Sequence, residues 1–155
     1  MHIEIESKVL VLDDSFKESA VRVRHIRQGY IAHDGGNTVR IRIVDGKGVL
    51  TIKGPILGVI GRPEWEKELS LEEAEPLLDL CKGNLIDKHR YIIPAGERCF
   101  EVDEFHGLNE GLTLAEIELG SEDEAFERPS WLGEEVSADK RYFNSYLSRH
   151  PFKQW

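Results

Sequence analysis

Apolar and polar residues alternate through most of the chain. Successive strand side chains point to opposite faces, so this pattern predicts strands over 2–12, 22–32, 38–44, 48–53, 63–69, 85–93, 98–105 and 112–119. Turn-forming runs separate them: His33-Asp34-Gly35-Gly36-Asn37, Asp45-Gly46-Lys47-Gly48, Pro94-Ala95-Gly96-Glu97 and His106-Gly107-Leu108-Asn109. Links this short favour antiparallel neighbours. Helix signals are fewer. Ser70-Leu71-Glu72-Glu73 has the form of a capping box and opens a helix over about 71–82, with a stop at Gly83-Asn84. Ser121-Glu122-Asp123-Glu124 is a second box that predicts a short helix, and Ser137 is placed to cap a C-terminal helix over about 138–149. Eight antiparallel strands can close into a barrel, which leaves no exposed edge. The expectation is a mostly β (α+β) fold: an eight-stranded antiparallel closed β-barrel with a few flanking helices and a C-terminal helix, one domain over residues 1–155.

The polar positions of these strands carry charge in an unusual way. Residues two apart share a face, which groups Glu4, Glu6 and Lys8, and likewise Arg40 with Arg42, Glu64 with Glu66, Lys88 with Arg90, Glu101 with Asp103, and Glu116 with Glu118. Lys53 closes its own strand, while Ile3, Ile5, Val9, Ile41, Ile43, Ile52, Trp65, Val102 and Ile117 lie on the opposite faces. Two readings follow from spacing alone. In one the apolar face is core and the charged face meets water. In the other the charged face lines a barrel, and the apolar face lies outside under a few helices. Like charges paired on single strands are unfavourable unless opposite charges or a ligand answer them. The acids and bases nearly balance, which suits a shared interior. At an effective dielectric near 20, two charges about 4 Å apart interact by about 4 kcal/mol, so such a lumen must be wet and paired. It offers bases to phosphate oxygens and carboxylates to a hard divalent cation. Apolar area left uncovered outside is then exposed or meets a second copy in a homodimer.

Charge narrows the partners. The 155 residues hold 20 Lys plus Arg against 29 Asp plus Glu, a net charge of −9, which argues against general nucleic-acid or anionic-membrane binding. No apolar run approaches the roughly 20 residues of a membrane-spanning helix. The start, Met1-His2-Ile3-Glu4-Ile5-Glu6, lacks a basic segment followed by an apolar one, so no secretory signal is expected and the compartment expected is the cytoplasm. Two cysteines, Cys81 and Cys99, are too few for a disulfide framework. There is no Gly-x-x-x-x-Gly-Lys phosphate loop and no Gly-x-Ser-x-Gly. His25, His33, His89, His106 and His150 are scattered along the chain without zinc spacing, which favours surface roles over ligation.

Glu4-Ile5-Glu6-Ser7-Lys8 is a complete Glu-x-Glu-x-Lys, and an ordered series stands behind it: Arg27-Gln28-Gly29-Tyr30, Arg40-Ile41-Arg42, Thr51-Ile52-Lys53, Arg62-Pro63-Glu64-Trp65-Glu66, Asp87-Lys88-His89-Arg90-Tyr91, Glu101-Val102-Asp103 and Glu116-Ile117-Glu118. Gly133-Glu134-Glu135-Val136 and Asp139-Lys140-Arg141-Tyr142 complete it. Over nearly its whole length the chain resembles the triphosphate tunnel metalloenzymes, also called the CYTH superfamily of class IV adenylyl cyclases and thiamine triphosphatases, and within it the short bacterial tripolyphosphatases. Ser7, where many bacterial relatives have Arg, and Val9, where they often have Phe, are mild departures that face away from the ligand.

The resemblance implies an eight-stranded tunnel that binds a triphosphate with Mg²⁺ or Mn²⁺. It implies metal-binding roles for Glu4, Glu6 and Glu118, with Asp103 and Glu116 in support. Lys8, Arg40, Arg42, Lys53, Lys88 and Arg90 would form the phosphate clamp. Glu4, Tyr30 and Lys88 are its catalytic candidates, and the C-terminal helix would plug or gate one tunnel mouth. The expected substrate is inorganic triphosphate or a nucleoside triphosphate. The leading function is metal-dependent hydrolysis of inorganic triphosphate to diphosphate and phosphate. Phosphoryl transfer asks mainly for charge neutralisation and positioning, which these residue types supply. Alternatives are a class IV-type adenylyl cyclase, a thiamine triphosphatase, or a non-catalytic polyphosphate-binding module. The full carboxylate set speaks against the last, since binding alone needs bases more than acids.

Overall fold

The structure is a computed structural model that describes residues 1–58 and 60–155. Among the described residues, nine strands form one antiparallel sheet: β1 (His2–Val11), β2 (Arg22–Asp34), β3 (Asn37–Val44), β4 (Lys47–Lys53), β5 (Gly61–Leu69), β6 (Lys82–Ala95), β7 (Arg98–Phe105), β8 (Thr113–Glu118) and β9 (Leu132–Glu135). Their order is β5-β4-β3-β2-β6-β7-β8-β1-β9, and β5 pairs back onto β1, closing an eight-stranded barrel with β9 as the extra strand. The closure is shared along β1. Its residues 6–10 pair with β8, its residues 2–5 pair with β5, and β9 takes Val9 and Val11 on the stretch that β5 leaves.

Cross-strand partners share a face, so the registers show which face is inside. Glu6 lies opposite Glu118 and Lys8 opposite Glu116; Glu101 faces Glu116; Arg90 faces Asp103; Tyr30 faces Arg40; Arg40 faces Thr51; Lys53 faces Glu64; Glu4 faces Arg62. Each charged pair of the sequence therefore belongs to one continuous inner surface. The apolar outer face is covered in two places. Val9, Phe100, Val102 and Ile117 pack with Phe16, Trp131 and Leu132 beneath a 3-10 turn at Asp14–Ser19. Ile41 and Ile43 pack under α1 (Leu71–Asp79) through Ala74 and Leu78. Elsewhere Ile3, Ile52 and Trp65 stay exposed, as the shortage of helices predicts. No described helix is long and apolar enough to cross a membrane.

One end of the inner face is itself apolar. Leu10, Ile86, Phe105 and Leu114 share the parity of the lumen charges, and they cluster with Val136, Leu147, Tyr142 and Phe152 of the C-terminal segment. That segment seals the barrel there by ordinary hydrophobic burial.

The helices depart from expectation. The Ser70–Glu73 capping box forms, with Glu73 N–H donating to Ser70 Oγ and Ser70 N–H to Glu73 Oε1, but the helix stops at Asp79 because β6 already begins at Lys82. The second box makes a turn rather than a helix. The Glu124 carboxylate that would cap it accepts from Gly120 N–H and from both prongs of Arg98 instead. The C-terminal helix is reduced to a 3-10 turn at Lys140–Tyr142 and a single turn, α2 (Asn144–Leu147). Ser137, its expected cap, accepts Lys8 N–H from the edge of β1, and Phe143 is extended at φ −74°, ψ 139°. β9 and the 3-10 turn at Asp14–Ser19 carry no alternation or capping box long enough to announce them.

Gly48 lies on β4 under α1, where a Cβ would run into that of Ala74. Gly48→Ala is expected to lower stability by about 1–3 kcal/mol, the cost of overpacking. A lower urea midpoint with an unchanged slope would check it.

Candidate active site

The lumen holds a cavity of about 240 Å³, lined by Glu4, Glu6, Lys8, Tyr30, Arg40, Arg42, Lys53, Arg90, Glu116 and Glu118. Of the residues the sequence singles out, Lys88 and Asp103 do not line it; both are fully buried in the wall behind. Arg62, Glu64, Glu66, Glu101, Phe143 and Asn144 line it as well. The parity of Glu64, Glu66 and Glu101 marks them in the sequence, while Phe143 and Asn144 come from a segment with no strand parity to read.

Strand order sorts these charges. The bases Lys53, Arg40, Arg42, Lys88 and Arg90 sit on β4, β3 and β6, with β2 between the last two. The acids Glu101, Asp103, Glu116, Glu118, Glu4, Glu6, Glu64 and Glu66 sit on β7, β8, β1 and β5, which are also contiguous once the barrel closes. A basic half-wall thus faces an acidic one. Lys8 and Arg62 are the inward bases on the acidic side.

The basic wall is braced but not saturated. Arg40 Nη2 donates to Thr51 Oγ1 at 3.0 Å, and Arg42 Nε donates to Gln28 Oε1 at 2.8 Å. Among the described residues Arg40 Nε and Gln28 Nε2 are buried without a partner, which costs free energy; of the two, Arg40 lines the cavity, where a ligand oxygen can answer it. Lys8 Nζ donates to the Tyr142 carbonyl at 3.1 Å and lies 5.1 Å from the centre of the Phe143 ring. Arg90 grips Asp103 with both prongs, at 2.7 and 2.9 Å, and reaches Glu101 at 3.1 Å. Lys88 Nζ sits 2.8 Å from Asp103 Oδ2 and donates to Asn144 Oδ1 at 3.0 Å. Burial pulls the Lys88 ammonium down to about 7, against the opposing pull of Asp103. Both Asp103 oxygens are occupied by these bases, so the residue holds the clamp together.

The acidic wall is crowded. Burial, then the neighbouring charge and hydrogen bond of Glu116, holds the Glu6 carboxyl well above its usual range. Burial would also raise Glu116, but Lys8, the Glu6 hydrogen bond, Arg90 and Lys88 outweigh it and hold Glu116 well below. Glu64 is pushed up to about 7 by burial and by its hydrogen bond to Glu4. Glu4 is lowered because Lys53 and that hydrogen bond outweigh its burial; its Oε1 is 2.6 Å from Lys53 Nζ. Carboxylates that share protons for want of countercharge fit a hard divalent cation, whose ligands are carboxylate oxygens. As placed, however, Glu118 is half exposed at the rim beside His2 Nε2 at 3.1 Å, and no three His, Cys, Asp or Glu among the described residues converge as a ready-made cation site. Glu4, Glu6 and Glu118 line one cavity without meeting at one point.

Three histidines the sequence leaves scattered come together on the outer wall. His25 and His89 stack at 4.8 Å, His89 Nδ1 is 2.6 Å from His106 Nε2, and His25 Nε2 is 2.7 Å from Asp87 Oδ1.

Comparison with known proteins agrees with this geometry. An inorganic triphosphatase of Acetivibrio thermocellus is 45% identical over 153 residues, covering 98% of this chain and 97% of that protein. An inorganic triphosphatase of Nitrosomonas europaea is 35% identical over 150 residues, covering 94% and 96%. A solved inorganic triphosphatase structure superposes with a TM-score of 0.69 at 32% identity, covering 96% of this chain and 95% of the other. The fold extends to a Hippeastrum protein described as a candidate adenylyl cyclase with a dominant triphosphatase activity, with a TM-score of 0.62 at 16% identity, covering 76% and 80%. The CYTH domain family matches residues 2–147, the stretch that builds the barrel, its two opposed walls and the segment that seals it: the chain belongs to that family.

Proposed function

We propose that the protein, as one tunnel domain over residues 1–155, hydrolyses inorganic triphosphate to diphosphate and phosphate with the help of Mg²⁺ or Mn²⁺. The observation that carries this reading is the opposition of a basic and an acidic half-wall across one cavity. A phosphate chain laid between them meets guanidinium and ammonium donors on one side. On the other side Glu4, Glu6, Glu116 and Glu118 are the residues that would hold the cation, which when bound would neutralise phosphate oxygens. Arg40, Arg42, Lys53 and Arg90 fix the chain and stabilise charge as the bridging oxygen departs. Lys8 reaches from the acidic side toward the same oxygens. Glu4, freed from Lys53 as the phosphates claim that ammonium, orients the attacking water, and Tyr30 beside Arg40 holds it in line. Lys88 acts from within the wall, through the groups it touches. The similarity to inorganic triphosphatases supports this substrate over a nucleotide.

The deciding assay offers inorganic triphosphate and ATP, each with Mg²⁺ and with Mn²⁺, and measures phosphate, diphosphate and cyclic AMP. Phosphate plus diphosphate from triphosphate is the expected result; cyclic AMP from ATP with triphosphate untouched would overturn it. Arg40→Ala and Arg42→Ala should each remove a charge-assisted contact of roughly 1.5–3 kcal/mol. Steady-state rates should fall about tenfold or more, while the melting temperature holds because the wet lumen buries little apolar surface.

A further inference from the structure

The contacts of Asn144 point beyond bracing. This residue opens α2 in the C-terminal segment and lines the cavity, whereas Lys88, its partner, does not. A lysine ammonium has only donors, so the amide must turn its oxygen toward Lys88 Nζ, as it does at 3.0 Å. Lys88 is held in turn by Asp103 at 2.8 Å, and neither has any exposed surface. The orientation of the amide is thus set from behind by a buried pair. Its nitrogen, with two N–H donors, then points away from Lys88, and it makes no hydrogen bond among the described residues. Lys8, whose ammonium is held by the carbonyl of Tyr142, shows that the same segment reaches the lumen at a second point.

We propose that Asn144 is a substrate-binding residue: its amide N–H donors meet a phosphate oxygen of the bound triphosphate, and Lys88, anchored on Asp103, is the positioning residue that keeps the amide facing that way. The inference rests on the tunnel's being the triphosphate site. It gives the sealed end of the barrel a part in recognising the ligand, and it gives Lys88 a task that suits a side chain buried behind the cavity.

The test compares the parent with Asn144→Ala, Asn144→Asp and Lys88→Met, using metal-free calorimetric binding of inorganic triphosphate together with KM and kcat in Mg²⁺ or Mn²⁺. Asn144→Asp keeps an oxygen for Lys88 but turns a second oxygen, in place of the N–H donors, toward the phosphates. Binding should weaken about tenfold in Asn144→Ala and further in Asn144→Asp, with KM rising in step and kcat changing less. Lys88→Met, which lets the amide turn over, should also weaken binding although Lys88 lies outside the cavity. A purely bracing Asn144 predicts the reverse order, since a carboxylate would hold an ammonium better than an amide does. Asn144→Asp, or a folded Asn144→Ala, that binds triphosphate as tightly as the parent overturns the proposal. A parent that binds triphosphate without turning it over overturns the hydrolase reading alone, and a parent that binds none overturns both.

Discussion

Asp103→Asn is expected to lower folding stability by about 3–5 kcal/mol, the range for removing one partner of a buried ion pair. Asp103 is the only carboxylate within 3 Å of both Lys88 and Arg90 among the described residues, and its own side chain has no exposure. Asparagine keeps the shape but leaves two buried cations with one neutral acceptor between them. The loss should depend on pH, and its sign follows from Lys88. Burial already pulls that ammonium to about 7 in the folded protein, below its range in the unfolded chain. The unfolded chain therefore binds more protons above about 7, so Lys88 makes stability rise with pH from there toward its unfolded value. Without Asp103 its folded value falls further. The penalty of the substitution should then be largest below about pH 7, where the parent's Lys88 is charged and paired. It should shrink above that, where the parent's Lys88 is neutral too. The part owed to Arg90 stays, because a guanidinium does not give up its proton. Urea unfolding of parent and variant at pH 6 and pH 9 reads both parts, and an equal loss at the two values would remove Lys88 from the account.

The second large effect falls on turnover. Glu6→Gln removes a negative charge and a good oxygen donor from the acidic wall while keeping the volume. If Glu6 holds the cation, activity should drop by roughly 10–100-fold or more, and excess Mn²⁺ should recover part of it. Metal-free triphosphate affinity should hold or tighten, since the basic wall is intact and one repelling charge is gone. Stability should not suffer, because burial already works against the charge on this carboxyl. Phosphate release and triphosphate affinity, measured across a series of each metal, separate these outcomes. Unchanged turnover would end the metal role of Glu6, and a parallel loss of triphosphate binding would place Glu6 in the clamp instead.

Much of this was legible from alternation alone. Period two with short turns dictates eight antiparallel strands, and the boundaries of all of them but β6, which begins three residues early, fall within two residues of expectation. The same parity collects Glu4, Glu6 and Lys8, Arg40 and Arg42, or Glu116 and Glu118 on one face, whatever the strands do next. Where side chains found better partners than the local signal offered, the sequence misled. The 121–124 box was lost to Arg98, and the C-terminal helix to the edge of β1, because tertiary hydrogen bonds outcompete a cap worth about 1 kcal/mol.

Parity also could not say that the charged face was inside, nor that its far end was an apolar seal made of Leu10, Ile86, Phe105 and Leu114. Only closure of β5 onto β1 decides the first, since an open sheet would turn the same face to water. Only the arrival of the C-terminal segment decides the second, bringing Asn144 with it. The separation of charge is likewise a property of sheet order. Along the chain acidic and basic strands are interleaved, with β1 acidic, β3 and β4 basic, β5 acidic, β6 basic, and β7 and β8 acidic. The long connections that set β6 beside β2 and β1 beside both β5 and β8 sort them into two walls. Residue types and spacing determined which side chains share a surface; the pairing of distant strands decided which of them face one another across it, because a cross-strand neighbour is chosen by the whole fold and not by the residues on either side.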